Sequence, residues 1–550
     1  MTVRWLLPLC LVGASLAMIV TPLIFREVAK ESGIDFKLIS GLPDKHFIVE
    51  SMTGGVAVFD YNNDGLPDIY LVNGSTIDAE RAGNNTAEDH LYKNNGDGTF
   101  TDVTRQAGLG DRRWTMGVAV ADVNNDGFDD IYITNYGANR LYLNNGDGTF
   151  RDFSRESHTD ISGWSSGAAF ADFDGDGLVD LYVASYLNVD ILSLPREGLL
   201  CRYREIPVQC GPRGLTPGSG HLFKNLGGGH FQDVTESSGI AKAAPSYGLG
   251  VAWGDLDNDG RPDLFVANDS LPNYLFHNDG NGKLSESALA AGVALRDDGR
   301  EQAGMGVDIG DYDNDGNLDI VLTTFSDDYK TLFHNDGTGH FEDVSLKAGL
   351  VQPTWNLLGW GVQFVDLNND GYQDIVMANG HVYPEVDQHR FATTYRQHPS
   401  VFLNQKNGQF KDVGADWGQA FQLTESSRGL ATGSFSNNGS MDIVISNLDA
   451  RPWLIKNPGN TGNWLMLKLR GTVSNRDAIG ARVTVKTNKL SQLREVKSGG
   501  SYQSHSDLRL HFGLGLSPSA DEVKIRWPSG KQQVLHNVKA NQILSVEEPR

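Results

Sequence analysis

The nine residues Asp172-Phe-Asp-Gly-Asp-Gly-Leu-Val-Asp180 place carboxylates at positions one, three, five and nine around a glycine that permits a sharp turn. Calcium takes about 6–8 oxygen ligands at roughly 2.3–2.6 Å, and alternating acidic side chains on one tight loop supply them from a single segment. In an EF-hand a later Glu closes a loop between two helices. Here an Asp closes it and the β-prone run Leu181-Tyr-Val183 follows, so the loop is expected to join two strands.

The same string recurs along most of the chain. The copies are Asp60, Asn62, Asp64 and Asp68; Asp122, Asn124, Asp126 and Asp130; Asp172, Asp174, Asp176 and Asp180; Asp255, Asp257, Asp259 and Asp263; Asp311, Asp313, Asp315 and Asp319; and Asp366, Asn368, Asp370 and Asp374. A seventh, Ser434 to Asp442, keeps the glycine and the last Asp but has Ser434 and Ser436 in place of the early carboxylates. Copies start on average about 62 residues apart, and such a period decides architecture before any local feature does. The expectation is about six Ca²⁺ ions, one per intact loop, with a weak or empty seventh site.

The elements that must position these loops read clearly. An apolar strand enters each loop (Gly55 to Phe59, Gly117 to Ala121) and a second leaves it (Ile69 to Val72, Ile131 to Thr134). A third and fourth are joined by Asn-Gly or Asp-Gly turns, as in Leu91 to Val103, a pairing that tolerates positive φ in hairpins. Four antiparallel strands repeated seven times predict an all-β chain built as a seven-bladed β-propeller. Phe25 to Ile34 matches the fourth-strand segment Phe341 to Leu350, while the last repeat runs out after Trp453-Leu-Ile-Lys456. The N-terminal strand is therefore expected to complete the last blade and remove an open edge.

Two stretches exceed the period. Tyr186 to Gly220 holds Cys201 and Cys210, expected to form a disulfide in an oxidising compartment, with two free thiols as the alternative. The second begins at Gly380 and holds His381, Asp387 and His389, a candidate catalytic or transition-metal set for which surface polarity is the commoner reading. Partner contacts are expected at these insertions.

Trp5 to Phe25 contains no charged residue, which suits a signal-peptide core or a span of the bilayer. A signal cleaved after Ala17 and a membrane attachment through residues 5–25 both stay open, and both imply a secreted, periplasmic or cell-surface protein. The net charge is −23, with the excess acidity concentrated before residue 462 and a basic balance after it. Much of that acidity is ligand, and nucleic acid is not an expected partner.

From Gly462 the pattern changes to alternating strands such as Trp464 to Arg470, Ala481 to Val485 and Val523 to Trp527, as half-buried strands do. This is expected to be a separate small β-sandwich. The domains are then 1–24 for export, 25–461 for the propeller and 462–550 for the module.

These residues carry a family resemblance. The loops resemble FG-GAP/VCBS propeller repeats, as in integrin α-chain heads. Ser474 to Ala481, Ser498-Gly-Gly-Ser-Tyr502, Phe512-Gly-Leu-Gly515 and Trp527-Pro-Ser-Gly530 resemble the ASPIC/UnbV module. The order is similar to the cartilage acidic protein family, and that resemblance implies an exported calcium-binding protein. The expected function is an extracytoplasmic binding or adhesion scaffold with structural calcium and an extracellular protein or glycan partner. The alternatives are a polysaccharide-active hydrolase or lyase, for which no nucleophile motif was found, and a clamp for anionic glycans or lipids through the basic module.

Overall fold

The computed structural model describes residues 23–195, 198–459 and 462–550. Most of the uncharged N-terminal segment, and with it the choice between signal and anchor, lies outside the described residues. From Arg26 to Lys456 the chain forms seven four-stranded antiparallel sheets. Their inner strands, Val56–Phe59, Trp114–Ala121, Ser165–Ala171, Gly248–Gly254, Val307–Gly310, Gly359–Val365 and Ser427–Gly433, each touch the next, and the last touches the first. That closed cycle is a propeller, and each sheet is a blade. Small residues make the close approach feasible: a Cβ on Gly250 would collide with the carbonyl of Met305, and one on Gly306 with that of Trp360.

The closing strand comes from the other end of the chain. Arg26–Glu27 pairs antiparallel with Trp453–Lys456, setting Arg26 opposite Lys456. Phe25 adds a stack on Trp417 with ring centroids 5.3 Å apart. The last blade thus takes its outer strand from Arg26–Glu27, which completes its four-stranded sheet.

A second closure runs through side chains. In each blade an Asn lies at or beside the end of the third strand, and its Nδ2 donates to a loop carbonyl of the preceding blade. The donors are Asn94, Asn144, Asn225, Asn278, Asn335, Asn404 and Asn457, and the acceptors, in that order, are Phe435, Tyr61, Val123, Phe173, Leu256, Tyr312 and Leu367, at 2.7–2.9 Å. All seven interblade seams are therefore pinned by the same buried amide, which pairs these seven carbonyls.

The C-terminal module has a three-stranded sheet, ordered Leu510–Gly515, Asn463–Arg470, Gln542–Glu547, and a four-stranded sheet, ordered Leu490–Glu495, Arg482–Thr487, Ser519–Arg526, Gln532–Lys539. It is a sandwich, but its core is not separate. Leu465, Val483, Phe512 and Trp527 belong to one buried cluster with Ala119, Leu141 and Phe170 of the propeller. The alternating strands bury one face against the blades as well as against each other.

One segment of the module runs down the centre of the ring. His505 exchanges backbone hydrogen bonds with Val56 and Val58, the carbonyl of Gln503 accepts from Val118, and that of Ser501 accepts from Val307. Asp507 N–H donates to Thr432, and the Ser498 hydroxyl to Val120. Inner strands are sheet edges with unpaired N–H and C=O groups, and this segment satisfies them in blades one, two, five and seven. Tyr502 lies at the centre, fully buried among Trp114, Trp164, Trp360, Met116 and Met305.

Both insertions lie at the opposite end of the channel from the acidic loops. The hairpin Leu200–Tyr203/Ile206–Gln209 is closed by the Cys201–Cys210 disulfide, with Cα atoms 4.9 Å apart. Tyr203 packs on Tyr383 and Phe391 of the second insertion, with centroids 5.5 and 6.1 Å away. Gln209 donates to Val382 O and Ser51 Oγ. The two insertions therefore cover each other and close the channel.

Candidate metal centres in the blade loops

Each acidic loop follows an inner strand and turns at its fourth residue, which sits in the left-handed region: φ is 55° at Asn63, 58° at Asn125, 65° at Asn258, 62° at Asn314 and 57° at Asn369, with Gly175 at 77°. Asn and Gly are the residues that adopt this conformation at least cost. The turn brings the first, third and fifth side chains to one side.

In five loops the first Asp accepts from the backbone N–H of the fifth and sixth residues at 2.6–3.2 Å, as Asp60 does from Asp64 and Gly65. The ninth-position Asp works differently. One oxygen accepts from the second loop residue and the other from the ring Asn of the third strand, at 2.7–3.3 Å in all six loops. Asp68, Asp130, Asp180, Asp263, Asp319 and Asp374 are at most 3% exposed, so each clips its loop to its blade.

The loops gather more negative charge than they neutralise. Asp172, Asp174 and Asp180 have ligand oxygens within 4.8 Å of one another, and so do Asp255, Asp257 and Asp259, and Asp311, Asp313 and Asp315. Burial first, and neighbouring carboxylates next, push the Asp122 and Asp366 carboxyls up to about 7. Burial raises Asp68 to about 8 and Asp172 to about 6. Asp174 Oδ1 and Asp255 Oδ1 are buried without any hydrogen-bond partner. Buried carboxylates crowded like this are stable as anions only beside a cation, so the residues present fit a divalent ion.

Where the residue before the ring Asn is Lys or His, it reaches its own loop. Lys93 reaches Asp64 at 2.8 Å, and Lys224 reaches Asp176 at 2.8 Å and also Asp174. His277 and His334 occupy this place in blades four and five, and Leu143 and Leu403 in blades two and six. In the seventh loop Lys456 bonds Asp442 at 2.7 Å and Ser436 at 3.0 Å, so an ammonium balances the one remaining carboxylate. The hydrogen bond to Asp319, ahead of other causes, holds the His334 imidazole up at about 9.

The module docks on this loop face. Lys468 Nζ lies 3.7 Å from Asp60, and Asp477 accepts from the Asp122 N–H at 2.6 Å. Arg482 Nη1 bonds Asp255 Oδ2 at 3.1 Å and Asn258 Oδ1 at 2.7 Å, and Arg526 joins it on Asp255. Asp129 and Asp477 face each other across the seam, and burial, followed by mutual repulsion at Asp129, raises both carboxyls.

The candidate set of the second insertion is not brought together. His381 is buried, Asp387 accepts from the Tyr395 N–H, and His389 stacks on Phe391. His381 Nε2 is 3.1 Å from Ser326 Oγ, but its Nδ1 accepts from the Tyr383 N–H. The proton therefore sits on Nε2, which donates to the serine and leaves no base for it. Burial holds this imidazole near 3, so it stays neutral.

Sequence reasoning missed three groups: the ring of asparagines, the row of Lys, His and Leu over the loops, and the arginines of the module. The first two recur at a fixed offset in every repeat and were legible in principle. The arginines carry no periodic signal.

The sequence matches the FG-GAP-like repeat family over residues 60–133, 122–183, 213–266, 255–322 and 311–377, and ASPIC and UnbV over 471–550. It is 28% identical to Cartilage acidic protein 1 of Mus musculus over 326 residues, 58% of this chain and 47% of that one. The Homo sapiens protein gives 28% over the same length, 58% of this chain and 46% of that one. The chain spans about half the length of the curated relatives it matches. Among solved structures it is similar to an Agrocybe aegerita lectin that recognises non-reducing terminal N-acetylglucosamine, with TM-score 0.42, 18% identity, and coverage of 73% of this chain and 87% of that one. A YCF48 structure bound to D1 peptide gives TM-score 0.40 and 8% identity, covering 80% and 96%. With its repeats matched across most of the ring, this chain belongs to the FG-GAP-like repeat family and ends in an ASPIC and UnbV domain.

Proposed function

We propose that the protein is an exported propeller whose six acidic loops hold calcium as a structural cation, and that it serves as a binding scaffold outside the cytoplasm. The observation that carries this reading is the common frame of the loops: backbone N–H groups fix the ninth carboxylate in all six and the first in five, and in loops four and five the first, third and fifth carboxylates lie within 4.8 Å of one another. Oxygen-only ligand sets of this kind suit calcium. Because loops and module share one face, an ion there would tighten both.

Export is supported by the disulfide and by the uncharged N-terminal segment. Among the described residues no helix is long and apolar enough to cross a membrane. The partner fitting this reading is an extracellular protein or glycan. Leu199 and Leu200, 36% and 71% exposed on the disulfide-closed hairpin, offer an apolar contact. A cavity of about 760 Å³ between the module and loops one and two offers a mixed one, with Asp60, Asp126, Lys468 and Arg476 beside Phe128 and Ile543.

Thermal unfolding of the chain from Phe25 onward, with and without EDTA and with bound metal counted by mass spectrometry, tests the calcium reading. A large loss of stability on chelation, with about six calcium ions bound beforehand, is expected. No bound calcium and no shift would overturn it.

A further inference from the structure

We propose that the cavity between the C-terminal module and the first two loops is a binding site for a short neutral saccharide. The inference rests on the reading of the chain as a binding scaffold, and it gives one of that scaffold's surfaces a definite ligand chemistry.

The floor of the cavity is one face of a sheet. Gln542–Glu547 is the edge strand of the three-stranded sheet and runs parallel to Asn463–Arg470, with Lys468 opposite Ser545 and Arg470 opposite Glu547. Side chains alternate across a strand, so Ile543, Ser545 and Glu547 share a face, and with Lys468 and Arg470 they line the cavity. The intervening Leu469 and Val546 go to the core. Arg470 and Glu547, though opposite one another, are joined in no ion pair among the described residues.

The walls come from loop two and from the module's first turn. Phe128 is the seventh residue of its loop, and its ring lies against the turn of the same blade, where a Cβ on Gly146 would stand 2.9 Å from Cε2. Arg476 is held at two points: its backbone N–H donates to Asn125 Oδ1 at 2.8 Å and its Nη1 to Gly471 O at 3.2 Å. Its Nε is buried with no partner. A guanidinium fixed in this way offers an oriented donor to a ligand. Beside Phe128, the Asp129 carboxylate faces Asp477 and has no hydrogen-bond donor among the described residues.

Charge balance selects the ligand. The cavity measures about 760 Å³ and is lined by four cationic side chains and six carboxylates. Asp60 and Asp126 belong to the metal loops, so four groups of each sign remain. A polyanion would be attracted by half of this wall and repelled by the other half. A hydroxyl group both donates and accepts, so a polyol satisfies carboxylate and guanidinium together. The C–H face of a sugar ring matches Phe128 and Ile543, because an aromatic face carries partial negative charge. The volume falls within the range of about 300–1,000 Å³ typical of small-molecule sites.

The test is saturation-transfer NMR and calorimetry on the calcium-loaded full chain. Maltotriose, cellotriose and triacetylchitotriose are the neutral probes and trigalacturonate the anionic one, for the natural protein, Phe128→Ala, Arg476→Met and Glu547→Gln. Glu547 is exposed and unpaired, so its variant tests the site even if another fails to fold. At least one neutral trisaccharide is expected to bind, about tenfold more weakly in each variant, with trigalacturonate the weakest probe. Leu200→Ser, at the opposite end of the channel, is expected to bind as the natural chain does. No neutral probe bound, tighter binding of trigalacturonate, or neutral binding unchanged in folded Glu547→Gln overturns the assignment. The two readings fail separately: absent saccharide binding in a chain that holds its calcium overturns this site alone, and absent calcium overturns the calcium scaffold whatever binds here.

Discussion

The Tyr502 hydroxyl donates to the carbonyl of Met52 at 2.8 Å, across 450 residues of sequence, and the Tyr502 ring meets Trp360 edge-on with centroids 4.7 Å apart. The C-terminal module thereby reaches through the ring to the residues that lead into the first blade. Burial of a large aromatic at such a point makes propeller and module one cooperative unit. Replacing Tyr502 with Ala should cost about 3–5 kcal/mol. Denaturant unfolding followed by both tryptophan fluorescence and circular dichroism should give one coincident transition in the natural chain. Two separated transitions would show that the pin does not couple the parts.

The asparagine ring makes an equally specific claim. Asn144 Nδ2 donates to Tyr61 O and Asp129 O, and its Oδ1 accepts from Gly146. Asn144→Ala removes all three bonds and leaves buried carbonyls unpaired, at about 1–3 kcal/mol for each orphaned group. The equivalent change at Asn278 or Asn404 should destabilise by a similar amount, because the seam is the same in each blade. Melting temperatures for the three variants would check this, and an unaffected one would break the equivalence.

What could be read in advance followed what is periodic. The acidic loops, the strand alternation and the match of Phe25 to Ile34 with a fourth strand repeat at a fixed interval, so self-similarity exposes them. Ser498 to Asp507 does not repeat and, Tyr502 aside, is made of Ser, Gly, Gln, His and Asp, residues that read as a solvated loop. Alternation reports that a strand has a buried face, not which distant segment covers it. For that reason the partner of Gln503 on the second blade, and the seating of Arg482 on Asp255, were invisible. The asparagines were visible but read as hairpin chemistry, since Asn-Gly explains a turn without any interblade role.

Chelation and pH are linked through the loop carboxylates. In the metal-free chain Asp68 stands at about 8, and Asp122, Asp263, Asp311, Asp319 and Asp366 at about 7, against about 3.9 unfolded. Groups raised by folding contribute stability that is complete below pH 4 and is lost as pH rises through 7 to 8. Buried His381 and His505, held near 3, and His511, near 4, act oppositely, losing stability below pH 6.5, but they are fewer. Metal-stripped protein should therefore melt lower at pH 8 than at pH 5.5, and added calcium should stabilise it more at pH 8. A calcium shift independent of pH would contradict this.

Arg482 offers the sharpest test of how module and loops are joined. It is 8% exposed, bonds Asp255 Oδ2 and Asn258 Oδ1, and lies 3.6 Å from Glu495. Arg526 shares Asp255 but is more exposed. Burial lifts the Glu495 carboxyl to about 7 even with these arginines beside it. Breaking a buried pair by removing one partner costs about 3–5 kcal/mol, mostly for the charge left behind. Arg482→Met keeps the packing of the stem and removes the charge, so that loss should appear in full in metal-free protein above neutral pH. A divalent cation bound at loop four would then meet Asp255 with one competing guanidinium, that of Arg526, instead of two. The variant should recover part of its melting temperature on metal addition, gaining more than the natural chain does. Equal gains in both proteins would mean that Asp255 serves the seam alone and not the ion.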